Sequence, residues 1–203
     1  SSDYITEGHA LKGVLKADME NIRSTMEKID YNTFEDVVNN IFAAKRIYII
    51  GLRSSMALAE FLGFYLNIIL QNVKTVGYGI SDIFEQMINV GEGDLVIGIG
   101  FPRYASRTID ALAFAQDRGA RVVAVTDSFL SPLATRADYA LIAQSNMASF
   151  VDSLVAPLSV INALIIAVGM REKENISSTF NSLEEIWQEY NVYSYNNRNV
   201  GDD

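Results

Sequence analysis

Short uninterrupted apolar runs alternate with amphipathic stretches along most of this 203-residue chain. Ile47, Tyr48, Ile49 and Ile50 form one run, closed by Gly51; Leu95, Val96, Ile97 and Ile99 form another, bounded by Asp94 and Gly100. Runs of this kind predict strands buried on both faces of a parallel sheet. Residues 73–78, 121–126 and 139–143 are predicted as further strands. Elsewhere the apolar positions follow a helical period. Leu11, Leu15, Ile22, Met26 and Ile29 predict one long amphipathic helix over residues 5–29, whose stripe needs a partner. Thr33 with Asp36 resembles a capping box opening a second helix through Ala44. Ala59, Leu62, Leu66 and Ile69 mark a helix after the first strand, and residues 80–89 another. Ile109, Leu112, Ala113 and Ala115 mark a helix capped by Ser106 or Thr108 and closed at Arg118-Gly119. Ser131-Pro132-Leu133 reads as a cap followed by proline at the first helical position. Strand and helix alternate throughout, which predicts an α/β, three-layer αβα sandwich: a parallel sheet covered by helices on both faces, with loops gathered at the C-terminal ends of the strands.

Composition narrows what such a fold can do. With 49% hydrophobic and 20% charged residues the chain suits one sizeable core and not global disorder. A net charge of −9 argues against this segment itself gripping nucleic-acid phosphates or an anionic membrane, so a DNA-binding role needs another segment. Cysteine is absent and His9 is the lone histidine, which argues against disulfides and a zinc centre; no metal or cofactor is expected. The longest apolar run, residues 154–170, is interrupted by Pro157, Ser159 and Asn162 and reads as a core or dimer-interface helix rather than a membrane span. Together with an N-terminus lacking a basic-then-apolar pattern, this predicts a cytoplasmic protein. Past Tyr190 the chain turns polar. The expected organisation is a linker-like helix over residues 1–30, one ligand-binding domain over 31–190 and a loose tail over 191–203.

Two loops hold the candidate chemistry: Leu52-Arg53-Ser54-Ser55 after the first strand, and the loop after Gly100 that contains Phe101, Pro102, Arg103 and Tyr104. Each joins a strand to a helix start, where free N–H groups and a positive dipole end favour an anion. Arg103 offers a planar fork for phosphate or carboxylate, although a surface ion pair or a dimer contact would also account for it. The Ser55 hydroxyl can donate and accept, as a sugar hydroxyl or a phosphate oxygen requires. A plain N-cap role is open to it and to Ser54. Tyr104 can instead pack against a neighbouring helix, and a cap alone would also account for Thr108. Asp127, after the fourth strand, points to the same edge and reads first as a turn residue.

The segments GLRSSMALAEFL from Gly51, GFPRYASRT from Gly100 and RGARVVAVTDSFLSPLATRADYALIA from Arg118 together resemble an SIS, or sugar isomerase, domain. ADMENIRSTMEKID, residues 17–30, narrows the likeness to the effector domain of RpiR-type bacterial transcription regulators, over residues 11–190. No Gly-x-Gly-x-x-Gly follows any strand, which counts against a dinucleotide-binding alternative. The resemblance implies a five-stranded parallel sheet, a homodimer or homotetramer, and a sugar phosphate or related carbohydrate ligand held between the loops after the first and third strands. It also implies DNA contact only through an N-terminal helix-turn-helix domain that is not in this sequence, so the chain is expected to be a fragment. In the wider family the first loop reads Gly-x-Gly-x-Ser, with the serine on the ligand. Gly51 and Ser55 match, and Arg53 stands at the second glycine. The family's Ser-x-Ser-Gly-x-Thr cradle would place hydroxyls at Gly100, Pro102 and Ala105, and none is there. Phe101, Arg103, Tyr104, Ser106 and Thr108 are expected to take its place. A third family element, a hydroxyl after the last strand, falls on Ser149, with Ser145 as a second candidate. The implied function is ligand sensing for a transcription regulator, with no catalytic residue. The alternative, an aldose–ketose sugar-phosphate isomerase, needs a base beside the sugar carbon, for which Glu60 and Glu85 are the nominees.

Overall fold

Successive residues of a strand point to opposite faces of its sheet, so a strand that is apolar at every position needs cover on both. The structure, a computed structural model, describes residues 7–194 and supplies that cover. Strands β1 (Ile47–Gly51), β2 (Val73–Val76), β3 (Leu95–Ile99), β4 (Arg121–Thr126) and β5 (Tyr139–Ile142) form one parallel sheet in the order β2-β1-β3-β4-β5. Ile47, Ile49, Ile97, Val123 and Val125 pack with α2 (Tyr31–Ala43), α3 (Met56–Leu70) and α6 (Val155–Arg171). Tyr48, Ile50, Val96, Val122 and Ala124 pack on the other face with α4 (Ile83–Gln86) and α5 (Ser106–Asp117). This is the predicted three-layer sandwich. Helix α1 (Ala10–Lys28) lies against α6, and α7 (Lys173–Glu189) packs on α3 and α6.

Several boundaries differ from expectation for local reasons. The predicted start of the first helix at residue 5 lies outside the described residues; a 3-10 turn over Glu7–His9 leads into α1. Ile29 is extended and stops α1, and Asp30 restarts the chain as the N-cap of α2, its carboxylate accepting from the N–H groups of Asn32 at 2.8 Å and Thr33 at 3.4 Å. The cap is therefore Asp30 and not Thr33. The helix expected over residues 80–89 is only a short turn capped by Asp82: past Gln86 the backbone changes to tighter bonds, Met87 N–H to the Phe84 carbonyl and Ile88 N–H to the Glu85 carbonyl, both at 3.2 Å, while the Gln86 side chain donates back to the carbonyls of Gly77 and Ser81. Neither Ser106 nor Thr108 caps α5: Ala105 holds the N-cap position without a side-chain bond. Gly119, at φ 85°, closes that helix in the left-handed region glycine favours. Helix α7 was not among the predicted elements, and none of its residues is buried.

Ile161 and Leu164 of α6 are fully buried, which places that face of the apolar helix in the core. On α1 the arrangement is reversed. Its apolar stripe faces outward, with Leu11, Leu15, Met19 and Met26 exposed, and its buried residues are Asn21 and Thr25. Among the described residues no single helix is long and apolar enough to cross a membrane.

Candidate functional site

Strand β1 sits between β2 and β3, and the crossovers leave it in opposite directions: β1 passes through α3 to β2, whereas β3 passes through α5 to β4. The loops after β1 and β3 diverge there and open a crevice at the C-terminal ends of the strands, where open parallel sheets bind ligands. Gly51 pairs in register with Ile99, so both loops start at the same level. A polar cavity of about 320 Å³ lies between them, lined by Leu52, Arg53, Ser54 and Ser55 on one side, by Ile99 to Arg103 and Ala105 on the other, and by Asp152.

The first loop is shaped by close backbone approach. A Cβ at Gly51 would stand 2.6 Å from the Ser55 carbonyl oxygen and 3.2 Å from the Ala59 Cβ, so only glycine lets the 3-10 turn Arg53–Ser55 fold back over the strand end. Arg53 adopts φ 57°, the left-handed region, at the position where the wider pattern has glycine. A cationic side chain is thus carried on a glycine-type backbone, at a conformational cost of about 1–2 kcal/mol. Ser55 is buried, its N–H donating to the Leu52 carbonyl at 3.2 Å, while Arg53 and Ser54 are exposed at the mouth.

The second loop is held by side chains. Phe101 is buried in the core on the sheet face covered by α2, α3 and α6, and Arg103 is exposed at the rim. The Pro102–Arg103 peptide bond is cis. Tyr104 turns away from the cleft, its hydroxyl donating to Asp127 Oδ1 at 2.6 Å. Behind it, Thr126 Oγ1 lies 2.9 Å from Ser131 Oγ, which accepts from the Ala134 N–H at 3.1 Å. Burial, and then the bond to the Asp127 carboxylate, push the Tyr104 phenol above its ordinary range. Asp127 is thus the partner that orients Tyr104, beyond the turn residue expected of it.

The expected residues converge only in part. Arg53, Ser54, Ser55, Phe101 and Arg103 line the cleft, and Gly51 underlies it. Tyr104, Ser106, Thr108 and Ser149 do not line it. Ser106 is exposed at the helix start, and Thr108 is buried with its hydroxyl lacking a hydrogen-bond partner. Ser149 borders an adjacent, more apolar cavity of about 500 Å³ between α1 and residues 148–155, and Ser145 is buried. Glu60 and Glu85 are exposed on α3 and α4 and do not line the cleft. Asp152, outside the expected set, borders both cavities. The cleft therefore presents two guanidinium groups, two serine hydroxyls and one carboxylate. That set suits an anion on a polyhydroxylated body: arginine and amide donors for the anion, a carboxylate acceptor for hydroxyls. Among the described residues no cluster of His, Asp and Glu could hold a metal ion.

The SIS domain model matches residues 40–167. The chain is 28% identical over 182 residues to an uncharacterized HTH-type transcriptional regulator of Haemophilus influenzae, covering 88% of this chain and 62% of that relative. The chain therefore spans less than two thirds of that regulator's length. Its structure is similar to the sugar isomerase domain of an RpiR transcription factor from Sphaerobacter thermophilus, with 30% identity and a TM-score of 0.83 over 87% of this chain and 99% of that one. The Vibrio vulnificus NanR protein, solved in complex with ManNAc-6P, shares the fold at 18% identity and a TM-score of 0.76, over 91% of this chain and 70% of that one.

Proposed function

Because the chain belongs to the SIS domain family, we propose that it is the ligand-sensing domain of an RpiR-type transcription regulator, holding a phosphorylated sugar or related carbohydrate derivative in the β1/β3 cleft. The observation that carries this reading is the polar cleft at the switch point, where Arg53 and Arg103 flank Ser54, Ser55 and Asp152. The arginines and the backbone amides of the first loop take the phosphate, and Ser55 and Asp152 take hydroxyls of the sugar. The NanR protein was solved with a ligand of this chemical class. Occupancy is relayed through α1 to a DNA-binding domain, and the relay is a population shift: the ligand must prefer one arrangement of the assembly over the other. The assembly is a homodimer or homotetramer in the cytoplasm, and the exposed apolar stripe of α1 faces the second copy.

An isomerase on the same cleft would need a base beside the sugar carbon and usually a second proton carrier. Asp152 is the one carboxylate among the lining residues, and no histidine is among them. This favours binding over turnover.

The test is a thermal-shift screen against sugar phosphates, the corresponding free sugars and sugar acids, with product analysis after incubation. A midpoint raised by phosphorylated ligands alone, without turnover, is expected. Turnover of any of them would establish the isomerase instead, and no shift across the panel would remove the sensor reading.

A further inference from the structure

Helix α1 is fastened to the body by polar side chains. Leu11 and Met19 are 76% and 69% exposed, whereas Asn21 and Thr25 are 2% and 6% exposed. The Asn21 amide makes a paired contact with one residue: its Nδ2 donates to the Asn146 carbonyl at 3.1 Å, and the Asn146 N–H donates to its Oδ1 at 3.3 Å. The Gln144 N–H donates to Thr25 Oγ1 at 2.9 Å, while that hydroxyl donates to the Asn21 carbonyl at 2.8 Å. Ser153 Oγ donates to Asp18 Oδ1 at 2.6 Å. Asp18, Asn21 and Thr25 are spaced three and four residues apart and so share one helix face.

Apart from the Thr25–Asn21 bond within the helix, these bonds all end on the segment between β5 and α6, and they grip it near both ends. Among the described residues no backbone–backbone hydrogen bond holds residues 144–153. The segment lacks helix and strand, so the side chains of α1 supply the restraint that a backbone ladder supplies elsewhere. Asp152, which lines the cleft, is the neighbour of the anchored Ser153.

We infer that Asp18, Asn21 and Thr25 are positioning residues that set the place of Asp152 in the cleft, so that ligand binding and the seating of α1 are energetically coupled. The inference rests on the cleft being a carbohydrate site, and it names the wiring of that site to the helix. Leaving a buried amide or hydroxyl unpaired is costly, so the seat is either fully made or exchanged for water, which gives the helix discrete states. A ligand whose hydroxyls engage Asp152 in one loop placement favours one seating. By reciprocity, the seating sets ligand affinity by the same factor.

The test compares the parent chain with the Asn21→Leu/Thr25→Val double variant, of similar volume but without these bonds, and with the conservative Thr25→Ser. Hydrogen–deuterium exchange without ligand should quicken at least tenfold at the Gln144 and Asn146 amides in the double variant, stay at the parent rate in Thr25→Ser, and remain unchanged in β1 and β3. Unchanged exchange at these two amides overturns the inference. Where protection is lost throughout the double variant, Ser153→Ala, which removes only the Asp18 contact beside Asp152, is read instead by the calorimetric criterion that follows. Calorimetric titration with fructose 6-phosphate should then show at least fivefold weaker binding to the double variant, with inorganic phosphate, which has no carbohydrate body to reach Asp152, bound equally. Equal affinity for fructose 6-phosphate alongside quickened exchange overturns the positioning role. Failure of the parent chain to bind either probe overturns the reading of the cleft, while the exchange result still decides whether α1 holds the loop.

Discussion

The two loops that form the cleft are stabilised by opposite means. The first is built by backbone: Gly51 lets the turn fold back on its own strand, and Arg53 holds a left-handed conformation. The second is built by side chains. Phe101 is sunk into the core on one face of the sheet, Tyr104 packs against the core on the other and bonds Asp127, and Arg103 stands between these anchors. The comparison teaches how a site can change its donors without losing its shape. Where the family's first-loop glycine is replaced, Arg53 adopts a left-handed dihedral angle of the kind glycine favours. Where the second loop's hydroxyls are lost, a guanidinium is carried on a segment pinned to both layers.

The largest effect should come from adding a single methyl group to each loop. Gly51→Ala drives a Cβ into backbone at Ser55 and should cost about 1–3 kcal/mol, roughly 2–4 °C in Tm for each kcal/mol at this chain length. Gly100→Ala meets only the Leu133 side chain, at 2.8 Å, and should cost less. Equal losses by thermal denaturation would erase the contrast between backbone-built and side-chain-built loops. Next, Arg103→Ala should weaken phosphorylated ligands about tenfold, or ~1.4 kcal/mol, and leave neutral sugars unaffected. An equal loss for neutral sugars by calorimetry would make Arg103 part of the scaffold.

Tyr104→Phe should cost about 1 kcal/mol through the lost bond to Asp127. Because the phenol is raised in the folded state, its contribution is present below the ordinary tyrosine value of about 10 and is lost as pH rises through the folded value. Denaturant titrations at rising alkaline pH should therefore show the parent converging on the variant. Arg53→Gly should relieve the left-handed strain, offset in part by the greater entropy of glycine in the unfolded chain, for a net gain below about 1 kcal/mol together with weaker anion binding. Smallest in stability, Ser55→Ala should leave the fold intact and reduce ligand-induced stabilisation; full stabilisation by a saturating ligand would remove Ser55 as a contact.

How much of this was legible in the sequence follows from what each feature depends on. β1, β3 and β4 could be read because fully covered strands are apolar at consecutive positions, a local signature. The cap of α2 was misplaced because a Thr33–Asp36 pattern competes with Asp30, and only the extended backbone at Ile29 decides between them. Helix α7 carries Ile176, Phe180, Leu183 and Trp187 at helical spacing, a signal the sequence did offer, and the structure covers that stripe only in part. In the site, the first loop was legible since its members are adjacent in the chain. Tyr104 and Thr108 were counted as ligand contacts because side-chain direction at a loop-to-helix junction is set by tertiary partners, here Asp127 and the core. Asp152 lies far along the chain from both loops. The available signal was a carboxylate between β5 and α6, at the same edge of the sheet. Asn21 and Thr25 left a fainter trace, polar residues at helical spacing beside an apolar stripe.

That inverted burial on α1 has a thermal consequence. Detaching α6 would bare Val160, Ile161, Leu164 and Val168, a large apolar exposure with a large increase in heat capacity. Detaching α1 uncovers amide and hydroxyl groups along with comparatively little hydrocarbon, and polar exposure contributes to heat capacity with the opposite sign. The free energy of seating this helix should therefore vary nearly linearly with temperature, without the dome that governs the core. A signal set by α1 would then shift steadily in one direction with growth temperature, over a range in which the stability of the domain beneath it rises and falls.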